Sequence, residues 1–187
     1  MQNESTTVKS ANISKRSTQS KIREIALSGL FIAIVFVTTM FVNIRLPISI
    51  NGGLIHAGNI MLFSISIIFG KKHGAIAGAF GMGLFDILSG WAAWAPFTFV
   101  IRGVMGFLIG SISNWNGRKG NHFGWNLAAI LVGSVWMIAG YYAAEGILYG
   151  NWIAPVSSIP GNITQLVIGL AALVLVPILK KAKIGEF

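Results

Sequence analysis

Apolar residues in this chain come in long blocks, with the polar residues collected between them. The first block runs from about Glu24 to Val42, close to the ~20 residues with which a helix crosses a bilayer. A stretch rich in turn formers follows, Asn43 to His56, with Pro47, Asn51, Gly52 and Gly53. A shorter block covers about Ala57 to Phe69, and two more run from about His73 to Ser89 and from Phe97 to Ile112. A polar turn at Asn114 to Asn121 leads into a block from about Trp125 to Leu148. The loop Gly150 to Ser158 precedes the last, about Ile159 to Leu179. The pattern predicts six helices, the second short for a membrane span unless it reaches back into the preceding loop.

Composition fixes the solvent. Of 187 residues, 54% are hydrophobic and 10% charged, with mean hydropathy +0.72; a soluble domain carries about 25% charged residues. So few charges cannot cover a water-facing surface. The expected fold class is all-α, an integral membrane bundle of six transmembrane helices. Residues 1–20 are polar with no apolar core, so they are expected to form a disordered cytoplasmic tail and not a cleavable signal peptide. Residues 21–183 would form one membrane domain.

The net charge of +9 would suggest nucleic acid in a soluble chain, but here its placement reports topology. Five Lys or Arg precede the first helix (Lys9, Lys15, Arg16, Lys21, Arg23) and two lie between the second and third (Lys71, Lys72). Two more lie between the fourth and fifth (Arg118, Lys119), and three follow the sixth (Lys180, Lys181, Lys183). The opposite loops hold Arg45 alone, and Arg102 lies within a helix. By the positive-inside rule both termini are expected in the cytoplasm.

That topology gathers the polar residues of the spans at the outer end: Asp86, Arg102, Glu145, Asn162 and Gln165, with Trp91, Trp94, Trp152, Tyr141 and Tyr142 at the same level. Ionisable groups at membrane depth are costly and mark functional sites by default. An outer polar and aromatic cavity is expected. Asp86 and Arg102 have a second reading, a buried ion pair that fixes a helical hairpin. Glu145 has one as a headgroup-level residue, and the tryptophans as an interfacial belt. Tyr141 and Tyr142 are adjacent, so at most one faces the cavity. His56 and Asn59 lie on one helical face at the start of the second helix.

Glycine and alanine recur every four residues at Gly70, Gly74 and Gly78, at Ala75, Ala79 and Gly83, and at Gly106 and Gly110. This spacing lets helix backbones approach closely in lipid. Gly29 and Ala33 repeat it on the first helix, where close packing and a docking face for a partner protein are both open readings. Much chemistry is excluded. No cysteine is present, no P-loop, H-E-x-x-H or G-x-S-x-G motif occurs, and the three histidines fall in separate loops. No metal, cofactor or catalytic residue is expected, and a membrane enzyme acting on a lipid-like substrate or a ligand-free assembly protein remains the competing class.

Two runs are more specific. Gly52-Gly53-Leu54-Ile55-His56-Ala57-Gly58-Asn59 is followed by Phe69-Gly70-Lys71-Lys72-His73-Gly74-Ala75-Ile76-Ala77-Gly78, and then by Phe85-Asp86, Ala95-Pro96-Phe97-Thr98 and Ile101-Arg102-Gly103. Together with the six blocks they resemble the substrate-binding S component of an energy-coupling factor (ECF) vitamin transporter, in the riboflavin, pyridoxine or hydroxymethylpyrimidine branch. The resemblance implies a prokaryotic cell-membrane protein that captures a vitamin from outside. It also implies partners: a transmembrane coupling subunit (EcfT-type) and two cytosolic ATPases (EcfA-type) that hydrolyse ATP. In that family small residues on the first helix meet the coupling subunit, here Gly29 and Ala33, with Ala26 an alternative register. The loop after that helix would close over the ligand. On this reading Asp86, Arg102, Glu145, Asn162, Gln165, His56 and Asn59 contact the vitamin and Trp91, Trp94 or Tyr141 stacks on it. Pyridoxine or hydroxymethylpyrimidine is the first expectation, with pantothenate and riboflavin as alternatives.

Overall fold

A computed structural model describes the backbone over residues 2–45 and 54–184 and the side chains over residues 18–44 and 55–184. Helix α1 (Gln2–Phe41) leads into a short antiparallel hairpin, β1 (Asn43–Arg45) paired with β2 (Leu54–His56). Helices α2 (Gly58–Phe69), α3 (Lys71–Leu88), α4 (Ala95–Ser113) and α5 (Phe123–Tyr149) follow, then α6 (Ile159–Gly169) and α7 (Ala172–Lys181). Among the described residues four helical stretches are long and apolar enough to cross a membrane: Thr18–Phe41, Ala95–Ser113, Phe123–Tyr149 and Ala154–Lys181. Helix α2 has 12 residues, and the 18 of α3 include Lys71, Lys72 and Asp86.

Two details depart from the pattern. The chain is not purely helical, because the turn-rich stretch after α1 pairs its ends as β1 and β2. The last apolar block is two helices, with the break at Leu170 and Ala171. Gly169 lies against the Phe63 ring with no room for a side chain, and Leu173 bonds back three residues to Leu170 in a tighter turn. The lid expected from the Asn43 to His56 loop falls largely on residues 46–53, outside the described residues. Of the tail expected over residues 1–20, the backbone from Gln2 onward is part of α1, while the side chains of residues 1–17 lie outside the described ones.

Close packing of α3 on α4 holds the centre. A Cβ on Gly78 would stand 2.5 Å from the Arg102 carbonyl oxygen, and one on Gly74 would stand 2.8 Å from the Gly106 carbonyl oxygen. The four-residue glycine spacing is therefore a backbone-to-backbone seam, as small residues allow in lipid. It brings Arg102 beside α3 at the level of Gly78. The turn from α2 to α3 is the single residue Gly70, whose φ of +84° suits glycine. Helix α1 turns Phe31, Val35 and Thr39, spaced four apart and buried, into the bundle, Phe31 against His73 of α3 and Thr39 against Gly58 of α2. Gly81 of α3 receives Val35, to which a Cβ would come within 2.9 Å. The opposite face of α1 is open: Ala26 and Ala33 are exposed, and nothing lies within 4 Å of a Cβ built on Gly29.

Candidate functional site

The site lies where α3 ends, α4 begins, α5 ends and α6 begins. Helix α3 stops at Leu88, and Gly90 takes a φ of +86°, which reverses the chain. The Trp91 amide returns to the Asp86 carbonyl at 2.8 Å, and the Trp94 amide to that of Trp91 at 2.8 Å. Pro96 then opens α4 in its first turn, where its missing N–H costs nothing. This compact turn carries Trp91 and Trp94 over the helix ends. On the other side the Asn151 side chain accepts from the amides of Ile153 and Ala154 at 2.8 and 3.2 Å. That starts the turn that delivers Ser158 to Glu145.

Arg102 is the centre of the site. It is 2% exposed, and its guanidinium binds neutral groups from three other helices. Nη1 donates to Asn59 Oδ1 at 2.7 Å and to Met137 Sδ at 2.9 Å. Nη2 donates to Gln165 Oε1 at 2.8 Å, and Nε to the Tyr141 hydroxyl at 3.0 Å. Tyr141, accepting from Arg102, keeps its own proton for Thr98 Oγ1 at 3.1 Å. Asn59 Nδ2 donates in turn to the Gln165 backbone carbonyl at 3.3 Å. One arginine thus ties α2, α4, α5 and α6 together. The ion-pair reading of Asp86 and Arg102 fails on distance: among the described residues the ion pair within 4.0 Å is Lys72 with Glu24.

Around this network is a cavity of about 100 Å³. Of the residues expected there, His56, Asp86, Trp91, Trp94, Arg102, Tyr141, Glu145, Asn162 and Gln165 line it. Asn59 stands behind Arg102 and holds it. Glu145 is buried and accepts from the Ser158 hydroxyl at 2.9 Å, so it faces the bundle interior and not the headgroups. Trp94 and Tyr141 stand with ring centroids 6.2 Å apart. Tyr142 turns away, donating to the Trp152 carbonyl at 2.6 Å. Trp115 and Trp152 are exposed, as an interfacial belt requires.

Thr39, Met82, Phe85, Thr98, Ser158 and Gly161 also line the cavity and were not legible as site residues. Thr39 and Thr98 are common in apolar helices, and only a fold shows which way they face. His56 carries the sharpest signal. It is 6% exposed and lines the cavity, and its Nδ1, enclosed beside Gly58, has no hydrogen-bond partner among the described residues. A buried polar atom left unpaired costs about 1–3 kcal/mol.

Such an arrangement defines a helical membrane protein with a small polar and aromatic binding cavity at one end, opposite the end that gathers the lysines. The chain belongs to the S-component family of ECF-type riboflavin transporters, whose description matches residues 19–183. It is a multi-pass membrane component of vitamin uptake, not an enzyme. It is similar to an uncharacterised protein in the gap 3′ region of Pyrococcus woesei, 35% identical over 136 residues, 73% of this chain and 86% of that protein. It is also similar to the thiamine precursor transporter HmpT of Lactococcus lactis subsp. cremoris (strain MG1363), 27% identical over 164 residues, 87% of this chain and 91% of that one.

Proposed function

We propose that this chain is the high-affinity binding subunit of an ATP-driven importer for a small hydroxylated aromatic vitamin or precursor, hydroxymethylpyrimidine or pyridoxine. The observation that carries the reading is the cavity beside Arg102, with Asp86, Glu145 and His56 in its wall and Trp91 and Trp94 among its lining. Asp86 and Glu145 accept from hydroxyl or amino groups of the ligand, the His56 ring adds a contact from the wall, and Trp94 or Trp91 covers the ligand ring. Similarity to a thiamine precursor transporter supports the same class. A cavity of about 100 Å³ suits a single ring better than the three fused rings of riboflavin. Pantothenate is disfavoured because the Arg102 nitrogens that would clamp its carboxylate already bond to Asn59, Gln165 and Tyr141.

Six spans with both termini in the cytoplasm complete the reading, with α2 and α3 crossing beside the four longer stretches. Thermal-shift titration of the purified chain against the B vitamins and hydroxymethylpyrimidine tests it, since a tight ligand raises apparent stability by mass action. One single-ring compound should shift the transition strongly, and Asp86→Ala, Glu145→Ala and His56→Phe should each weaken it by roughly 10-fold or more. Silence across the panel from a folded chain removes the vitamin assignment. Full affinity in all three variants moves the ligand elsewhere.

The open face of α1, with Ala26, Gly29 and Ala33, is the proposed contact with the transmembrane coupling subunit, which works with two cytosolic ATPases. Gly29→Leu and Ala33→Leu should reduce co-purification of that subunit while ligand binding stays at the parent level, because neither position is enclosed in the bundle. Unchanged assembly in both variants would place the interface on another helix.

A further inference from the structure

At the end of the bundle away from the ligand cavity, a groove of about 1360 Å³ is lined by Lys71, Lys72, Lys119 and Lys180 together with Phe107 and Trp115. We infer that this groove binds the headgroup of an anionic phospholipid, with Phe107 and Trp115 meeting its acyl chains. The inference is independent of what the cavity binds.

Three observations carry it. The first is charge. Among the described residues no carboxylate lines the groove, and Lys72 has Glu24 as an ion-pair partner while Lys71, Lys119 and Lys180 have no carboxylate within 4.0 Å. A phosphodiester supplies the missing charge.

The second is rigidity. The Asn114 side chain donates to the carbonyls of Ile67 at 3.1 Å and Gly110 at 2.9 Å, which fixes the loop between α4 and α5 to the end of α2. Within that loop Asn116, Gly117, Lys119 and Gly120 all have positive φ, and Gly120 packs so tightly that a Cβ would stand 2.6 Å from the Ile67 carbonyl oxygen. Lys180 Nζ donates to the Lys119 carbonyl and, at 2.7 Å, to Asn121 Oδ1, which ties α7 to the same loop. The lysines thus stand on a braced frame and not on solvated tails.

The third is the amphipathic rim. Lys71 Nζ sits 5.4 Å from the centre of the Phe107 ring, Phe107 is 45% exposed and Trp115 is 61% exposed. Cation and exposed aromatic side by side match the boundary between a headgroup and its acyl chains. A basic cluster beside a span attracts anionic lipid by about 1 kcal/mol per residue, roughly fivefold each in affinity.

The test is native mass spectrometry of the full chain in detergent with phosphatidylglycerol or phosphatidylcholine added. Phosphatidylglycerol should be retained preferentially, and Lys71→Gln with Lys119→Gln should cut that preference by roughly 25-fold without moving the thermal transition. Lys9→Gln with Lys15→Gln changes net charge equally and should leave it intact. Equal retention of both lipids, or an equal loss in the Lys9 and Lys15 control, overturns the site. Displacement by inorganic phosphate would reassign the groove to a free anion. Unchanged lipid retention with lost co-purification of the coupling subunit would make it a protein interface.

Discussion

Arg102→Met should lower ligand affinity by roughly 100-fold or more and lower the thermal transition as well. Methionine fills much of the same volume without donors, so it removes the bonds to Asn59, Gln165 and Tyr141. A hydrogen bond to a charged group is worth about 1.5–3 kcal/mol, and each buried acceptor left behind costs about 1–3 more. Those bonds fix Tyr141 and Gln165 in the cavity wall, and a wall that must be re-ordered on binding takes about 3 kcal/mol from affinity, which corresponds to the stated factor. Arg102→Lys should not rescue it, since one ammonium cannot reach the acceptors on α2, α5 and α6 that the planar fork spans. Isothermal titration with the responding vitamin, run beside thermal denaturation, separates the two effects. A Met variant that melts lower yet binds at full affinity would make Arg102 a staple of the bundle and leave recognition to Asp86, Glu145 and His56.

The second large effect lies in the seam. Gly106→Leu should destabilise the chain by about 3 kcal/mol or more, seen as aggregation on size-exclusion chromatography or a sharply lowered melting temperature. A side chain at Gly106 runs into the Gly74 backbone, and backbone cannot swing aside as a flexible side chain does. Relief would separate α3 from α4 and carry Arg102 away from Asn59. Gly29→Leu is the matched comparison, since it adds the same atoms where nothing lies within 4 Å and should leave the melting temperature unchanged. Equal stability of the two variants would contradict the tight α3–α4 contact.

These paired glycines show how far the sequence reaches. The four-residue spacing of Gly70, Gly74 and Gly78 announced close helix packing, because only small residues at that period let backbones meet. It could not say that Gly29 and Ala33 face outward while Gly74 and Gly106 face each other, since the same spacing serves an internal seam and an exposed stripe. Apolar block length located the helix ends to within a few residues, the start of α1 at Gln2 excepted, because a helix in lipid must satisfy its own backbone. It missed the β1–β2 pairing and the break between α6 and α7. Those depend on the partners of single residues, Asn43 across from His56 and Gly169 against Phe63.

The site divides in the same way. Its ionisable and amide members were legible in the sequence, because such groups in apolar helices are too costly to be scattered, whereas the hydroxyls of Thr39, Thr98 and Ser158 were not. Tertiary structure decided the roles within it. Asp86 and Arg102 read as a natural pair by charge, yet Arg102 turns to Asn59, Gln165 and Tyr141, which α2, α6 and α5 bring within 3.0 Å. It also separated Tyr141 from Tyr142 and placed His56 in the cavity wall. Charge and hydropathy are properties of residues and can be read along a chain, whereas a hydrogen-bond partner is a property of two positions that only folding brings together.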